Sequence, residues 1–323
     1  MNDPLYRKVD LELQASIPLL GVPVEFAAND SAAMATVEQA YGMWRMLARY
    51  PDFVSDAVIS VRLIVHEGTE PSDRRSRISY RMPDAERILL HTAGSMGIAD
   101  VRRGEAIAYV TPSLVADREN FRNGVLDALT LTLVTTRDRL PVHASLVSRA
   151  GKAVILAGPS GVGKSSLAYT AKDSGWDLLA DDACYVQLDP ELRIWGIPGR
   201  TYLPSDTAAR FPTLRGREPE RLPNGKLKIP IDVEMPAATR GPPVVPGVAV
   251  CLLARDGGPM GLDRATQEEV ARELGAELDL THDLYADSKQ PALERLTAGG
   301  GWRLRLSADP REALPYLERM VAD

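Results

Sequence analysis

Eight consecutive residues, Gly158-Pro159-Ser160-Gly161-Val162-Gly163-Lys164-Ser165, constrain this chain more than any other stretch. They fit the pattern of Gly, four free positions, Gly-Lys and then Ser or Thr. In that pattern the backbone curls so that successive N–H groups face phosphate oxygens. With Gly at about 7% of residues, such a match arises by chance in roughly one chain of this length in a hundred. The flanks agree with the motif: Ala153 to Ala157 reads as a strand, and Gly163 to about Asp173 as a helix closed by Gly175. The helix would bring the positive end of its dipole to the loop. Lys164 is expected to reach the β- and γ-phosphates of a nucleoside triphosphate and Ser165 to ligate Mg²⁺, with Ser166 in the same cradle. The expected ligands are ATP and Mg²⁺.

An acidic pair, Asp181-Asp182, directly follows the apolar Leu178-Leu179-Ala180. A carboxylate at the end of a strand beside a phosphate loop can hold Mg²⁺ or its water shell. Adjacent residues on a strand point to opposite sides, so one acid can face the loop while the other faces structure or substrate. Only one short helix and one short strand fit between Lys164 and Asp181. One of the two acids joins Ser165 as a candidate metal ligand.

The string from Val142 to Val186, VHASLVSRAGKAVILAGPSGVGKSSLAYTAKDSGWDLLADDACYV, resembles the catalytic domain of the HPr kinase/phosphorylase family. That family carries an upstream His, the phosphate loop, a helix, a glycine and an Ala-Asp-Asp ending. The resemblance is specific over this string and general from there to the C-terminus. It implies an α/β fold with a P-loop kinase core of the HPr kinase/PEP carboxykinase-like type. It also implies that Asp181 accepts the proton of a substrate hydroxyl, that Asp182 assists it or organises the metal, and that His143 orients the aspartate. Arg200 matches the arginine of a second family motif, but the glutamate that accompanies it there has no counterpart here. By the same resemblance the acceptor is a serine of a peptide or protein, including a ribosomally made precursor peptide. The alternatives are a free hydroxy acid or amino acid, and a nucleotide-dependent regulatory protein that has lost transfer.

The rest of the 323 residues sets the frame. With 45% hydrophobic and 25% charged residues the composition is that of a globular protein, and the length allows two domains. Residues 1–115 read as an α+β domain, the expected acceptor-recognition part, and 116–323 as the catalytic domain. In the first, a helix is expected from Ser31 to about Ala48, capped among Asn29, Asp30 and Ser31, with Met34, Val37, Tyr41, Trp44 and Ala48 on its apolar face. Strands are expected at AVISVRLIV, RSRISYRM, RILLHTA and AIAYVTP, and a second helix from Glu119 to about Val134. Residues 196–246, rich in Pro, Gly, Arg and Lys, read as long functional loops. Of their basic residues Arg200, Arg215, Arg217, Lys226 and Lys228, Arg200 and Lys226 are the preferred pair for phosphate or an acidic substrate.

A net charge of −6 argues against a nucleic-acid partner. The longest apolar runs fall short of a membrane span, and MNDPLYRKVD does not read as a secretory signal. Cys184 and Cys251 sit in apolar runs and read as buried free thiols, which together with the missing signal points to the cytoplasm. His66, His91 and His282 lack Cys or His partners at metal-site spacing and read as structural or surface residues. A homo-oligomer is compatible with all of this.

Overall fold

The computed structural model describes residues 9–68, 78–221, 225–233, 242–278, 284 and 286–322. The chain is a mixed α/β protein that divides into two compact units, Met1–Arg139 and Leu140–Asp323. The division falls later than the break near residue 115 suggested by the sequence.

The first unit is one seven-stranded sheet in the order β1-β2-β3-β7-β6-β5-β4. Its strands are β1 (Leu13–Leu19), β2 (Val22–Ala28), β3 (Ile59–Val65), β4 (Ser79–Asp84), β5 (Arg87–His91), β6 (Met96–Asp100) and β7 (Glu105–Val110). The expected strands are present; β6 and the hairpin β1–β2 were not anticipated. Helix α1 (Ser31–Tyr41) is capped by Asp30, whose carboxylate accepts from Ala33 N–H at 2.9 Å. Asn29 instead pairs with the backbone of Val65.

After Tyr41 the helix tightens into a 3₁₀ segment, Gly42–Arg49. With three residues per turn the buried stripe becomes Tyr41, Trp44 and Leu47, so the expected Ala48 faces solvent. The second expected helix is present as one run, α3 (Arg118–Phe121), a π-helical stretch Arg122–Asp127 and α4 (Ala128–Thr135), preceded by a short α2 (Pro112–Ala116). Helix α4 packs on β3, β6 and β7. That is why the segment after residue 115 belongs to this unit.

The second unit is layered. Its main sheet runs β11-β9-β10-β18-β20-β19, from β9 (Ser145–Arg149), β10 (Lys152–Ala157), β11 (Asp177–Ala180), β18 (Val248–Ala254), β19 (Gly261–Ala265) and β20 (Gly301–Arg305). Strands β10, β18 and β20 run parallel. Alternation along β10 sends Val154 and Leu156 into one core and Ala153, Ile155 and Ala157 into another. The first core is closed by α5 (Lys164–Asp173) and α9 (Leu314–Ala322). The second is closed by α7 (Gln267–Leu278), α8 (Ala286–Thr297) and a four-stranded sheet.

That smaller sheet has the order β17-β13-β12-β8, from β8 (Leu140–Val142), β12 (Cys184–Gln187), β13 (Arg193–Gly196) and β17 (Val244–Val245). Gly196 ends β13 so near β11 that a Cβ placed on it would overlap the Leu179 carbonyl. The expected loop region after Gly196 is largely ordered as a three-stranded sheet, β14 (Arg200–Pro204), β16 (Leu227–Asp232) and β15 (Glu220–Arg221), with a short helix α6 (Ser205–Ala208). It has a core of its own in Tyr169, Leu203, Phe211 and Ile229. Apolar residues alternating with Pro and Lys had masked that core.

Both cysteines are free and buried; burial pushes the Cys184 thiol up to about 12 and the Cys251 thiol further upward. His66 bonds the Gly94 carbonyl at 3.1 Å, a structural use, and His282 lies outside the described residues. Among the described residues no helix is long and apolar enough to cross a membrane.

Candidate functional site

Residues 158–163 connect β10 to α5 as a tight loop. Gly158, Gly161 and Gly163 have φ of 140°, 86° and 123°, values closed to most side chains. A Cβ on Gly158 would also stand 2.9 Å from the Leu253 carbonyl oxygen of β18. Gly163 caps α5 without a side-chain acceptor for the N–H groups of the first turn, which leaves those donors to the loop mouth. Lys164 is only 7% exposed, and its ammonium donates to the Gly158 carbonyl at 2.5 Å. A buried cation folded back over a glycine curl with uncapped helix N–H groups fits a phosphate chain. Ser165 and Ser166 follow in the first turn of α5, where Ser166 Oγ lies 3.4 Å from Thr207 Oγ1.

The acids stand where the chain changes sheets. The expected strand VHASLV is interrupted at His143-Ala144: β8 belongs to the smaller sheet and β9 to the main one. Likewise β11 lies in the main sheet and β12 in the smaller one, with Asp181-Asp182-Ala183 between them. Because β8 pairs with β12 and β9 with β11, the two corners lie side by side. Asp182 turns through φ 69°, a left-handed conformation that Asp tolerates better than most residues.

Hydrogen bonds lock the corners together. Ser145 Oγ donates to one carboxylate oxygen of Asp181 at 2.6 Å, and Thr201 Oγ1 of β14 donates to the other. His143 Nδ1 contacts the Asp182 backbone carbonyl at 2.7 Å, so it carries the proton there. His143 therefore braces the backbone at Asp182; the expected orientation of the Asp181 carboxylate falls to Ser145 and Thr201. Neither was singled out from sequence, although alternation along β14 puts Thr201 on the face opposite Arg200 and inward.

Asp182 reaches solvent, yet its carboxyl lies above the ordinary range. Burial by surrounding protein raises it first and the charge of Asp181 second, against the lowering influence of His143, Lys228 and Lys164. The loop lysine and the acid pair thus share one electrostatic environment. The basic residue of β16 that takes part is Lys228, whereas the preferred Lys226 lies just before the strand and exposed. Arg200 is engaged by acids of its own sheet, 3.2 Å from Asp232 and 3.6 Å from Glu220. A small cleft of about 20 Å³ lies between Asp181, Thr201, Arg200 and Ile197. Among the described residues no cluster of three or more His, Cys, Asp or Glu could hold a metal ion.

Fold and site together define a mixed α/β protein with a strand–glycine loop–helix unit and an acid pair at a corner between sheets. A family model described as SynChlorMet cassette protein ScmC matches residues 125–191, a stretch that holds the loop and both acids. No curated protein sequence matches the chain. Among solved structures, the Hpr(Ser) kinase/phosphatase from Coxiella burnetii aligns with 12% identity over 55% of this chain and 93% of that one, with a TM-score of 0.28. An overlap that loose carries no argument about chemistry.

Proposed function

We propose that the second unit is an ATP- and Mg²⁺-dependent phosphotransferase that moves the γ-phosphoryl group onto a hydroxyl, most simply a serine of a peptide or protein. The observation that carries the reading is the glycine curl at the uncapped start of α5, with the buried Lys164 folded back on it. Lys228 and Lys164 both act on Asp182, the neighbour of Asp181. Phosphoryl transfer asks chiefly for positioning and charge stabilisation, which such a set supplies.

In this reading the loop N–H groups and Lys164 hold the β- and γ-phosphates, and Ser165 and Asp182 hold Mg²⁺. The metal, when bound, neutralises phosphate charge. Asp181 takes the acceptor proton. Its two oxygens each receive one hydroxyl hydrogen bond and each keeps a further lone-pair site. The acceptor oxygen bonds to phosphorus as the bond from phosphorus to the bridging oxygen breaks, and ADP leaves.

At about 20 Å³ the cleft beside Asp181 has room for little more than one hydroxyl group. A free hydroxy acid or amino acid is the second reading. The first unit, with its separate sheet, is proposed to select a macromolecular acceptor.

Phosphate transfer from γ-labelled ATP, with serine-containing peptides and with small hydroxy acids, tests the reaction. Absence of nucleotide binding by the intact chain would overturn it. The chain from Leu140 onward is expected to bind Mg·ATP and to lose transfer to a peptide or protein acceptor. Undiminished peptide phosphorylation by that fragment would remove the recognition role from the first unit.

A further inference from the structure

Arginines of the second unit are mostly spoken for. Arg149 pairs with Glu318, Arg193 with Glu191, Arg303 with Glu273, Arg305 with Asp263, and Arg210 and Arg311 with Asp309. Arg255, like Arg215 and Arg272, has no hydrogen bond or ion pair to its guanidinium among the described residues. Its position sets it apart. It directly follows Ala254, the last residue of β18, and β18 runs parallel to β10 with Leu252 opposite Ala157. Arg255 therefore leaves β18 at the same end of the sheet where β10 gives way to the glycine loop. Its Nη2 lies 3.6 Å from where a Cβ of Gly163 would be, beside the uncapped start of α5.

From these placements we infer that Arg255 is a further nucleotide-binding residue, contacting a phosphate oxygen at the mouth of the loop. The inference rests on the proposed triphosphate site and adds a residue the motif does not contain. A guanidinium is always charged and presents a planar fork of donors that suits phosphate oxygens. Ligands of open α/β sheets gather outside the carboxyl ends of the parallel strands, which is where β10 and β18 both finish. Lys164 approaches the loop from inside the fold; Arg255 approaches from the solvent side. Two cations on opposite sides would spread the charge of a triphosphate that one lysine alone balances incompletely.

The test is calorimetry on the full chain with Mg·ATP, Mg·ADP, inorganic pyrophosphate and adenosine, for the wild type, Arg255→Ala, Arg255→Gln and Arg255→Lys. Arg255→Ala and Arg255→Gln should each weaken ATP, ADP and pyrophosphate binding by roughly tenfold or more, the scale of a charge-assisted hydrogen bond. Adenosine binding should be unchanged and Arg255→Lys should recover part of the loss. Unchanged phosphate-ligand affinities in both Arg255→Ala and Arg255→Gln, with Lys164→Ala still impaired, would overturn the role of Arg255 and leave the phosphate loop standing. An equal loss for adenosine and pyrophosphate would overturn the phosphate contact as well. Failure of the wild type to bind any of the phosphate ligands would bring down the loop reading and this one together. Because the side chain is exposed, the unliganded thermal midpoint should be the same in all four proteins.

Discussion

Each unit holds a carboxylate gripped by a hydroxyl, and the two have different surroundings. In the first, Asp127 accepts from the Tyr41 hydroxyl at 2.5 Å and faces Arg122 at 3.7 Å, all within the helical layer over the sheet. Burial raises the Asp127 carboxyl above its ordinary 3.8, more than Tyr41 and Arg122 lower it. In the second, Asp181 is gripped by Ser145 and Thr201 but borders a cleft and a second acid, Asp182, on which Lys228 and Lys164 act. A hydroxyl grip fixes a carboxylate in either case. Access and neighbouring charge decide whether the group serves only the fold or is available to chemistry.

The sharpest way to break this contrast is at Lys164. Lys164→Ala should lower Mg·ATP affinity by about a hundredfold or more, because a buried charge-assisted contact to phosphate is lost. Calorimetry reads this directly, and unchanged affinity would reduce the second unit's acids to the status of Asp127. Next is Asp181→Asn, which should leave nucleotide binding in place and cut transfer by roughly 10²-fold, the scale of losing a general base. A variant that loses binding and turnover alike would make Asp181 a structural acid.

Thr201→Val tests the grip itself. It should lower kcat by about tenfold, the scale of one hydrogen bond to a charged group, with the KM for ATP little changed. Thr201→Ser should restore most of the rate. Equal damage by both substitutions would mean that the methyl packing of Thr201 matters and its hydroxyl does not.

The smallest effect lies in the first unit and concerns stability. A carboxyl raised in the folded state binds more protons than in the unfolded chain over the interval between its unfolded and folded pKa values. Stability therefore falls as pH rises through that interval, from about 3.8 upward, and then levels off. Asp127→Asn should flatten this segment of a denaturant-melt series and leave phosphate transfer at the wild-type rate. A melt series that keeps its slope in the variant would trace the dependence to another group.

The glycine loop between β10 and α5 was legible because its pattern is written in consecutive residues: the glycines, Lys164 and Ser165 need no tertiary information. The acid pair was legible for the same reason. What escaped was everything set by pairing between distant strands. That Val142 and Ser145 lie in different sheets follows from strand pairings that join residues 29 to 46 positions apart along the chain, and alternation within VHASLV cannot reveal it. Ser145 and Thr201 went unnoticed because a small hydroxyl in a strand has no local signature, and Lys228 lost to Lys226 because register depends on Pro204 and Glu220 opposite it. In the first unit the stripe failed only at Ala48, where the helix changed pitch.

Gly196 has a consequence beyond its own strand. The space it leaves is taken up by the backbone at Leu179, two residues ahead of Asp181, so the approach of one sheet to the other is fixed by a missing carbon atom. An alanine there would touch no ligand and alter no charge. It would force the layers apart at the acid corner, and the damage would surface as misalignment of groups that the substitution never meets. Tolerance to change at this position is thus set by the geometry of a neighbouring layer, and a survey of variants that looked only for contacts with substrate would pass it by.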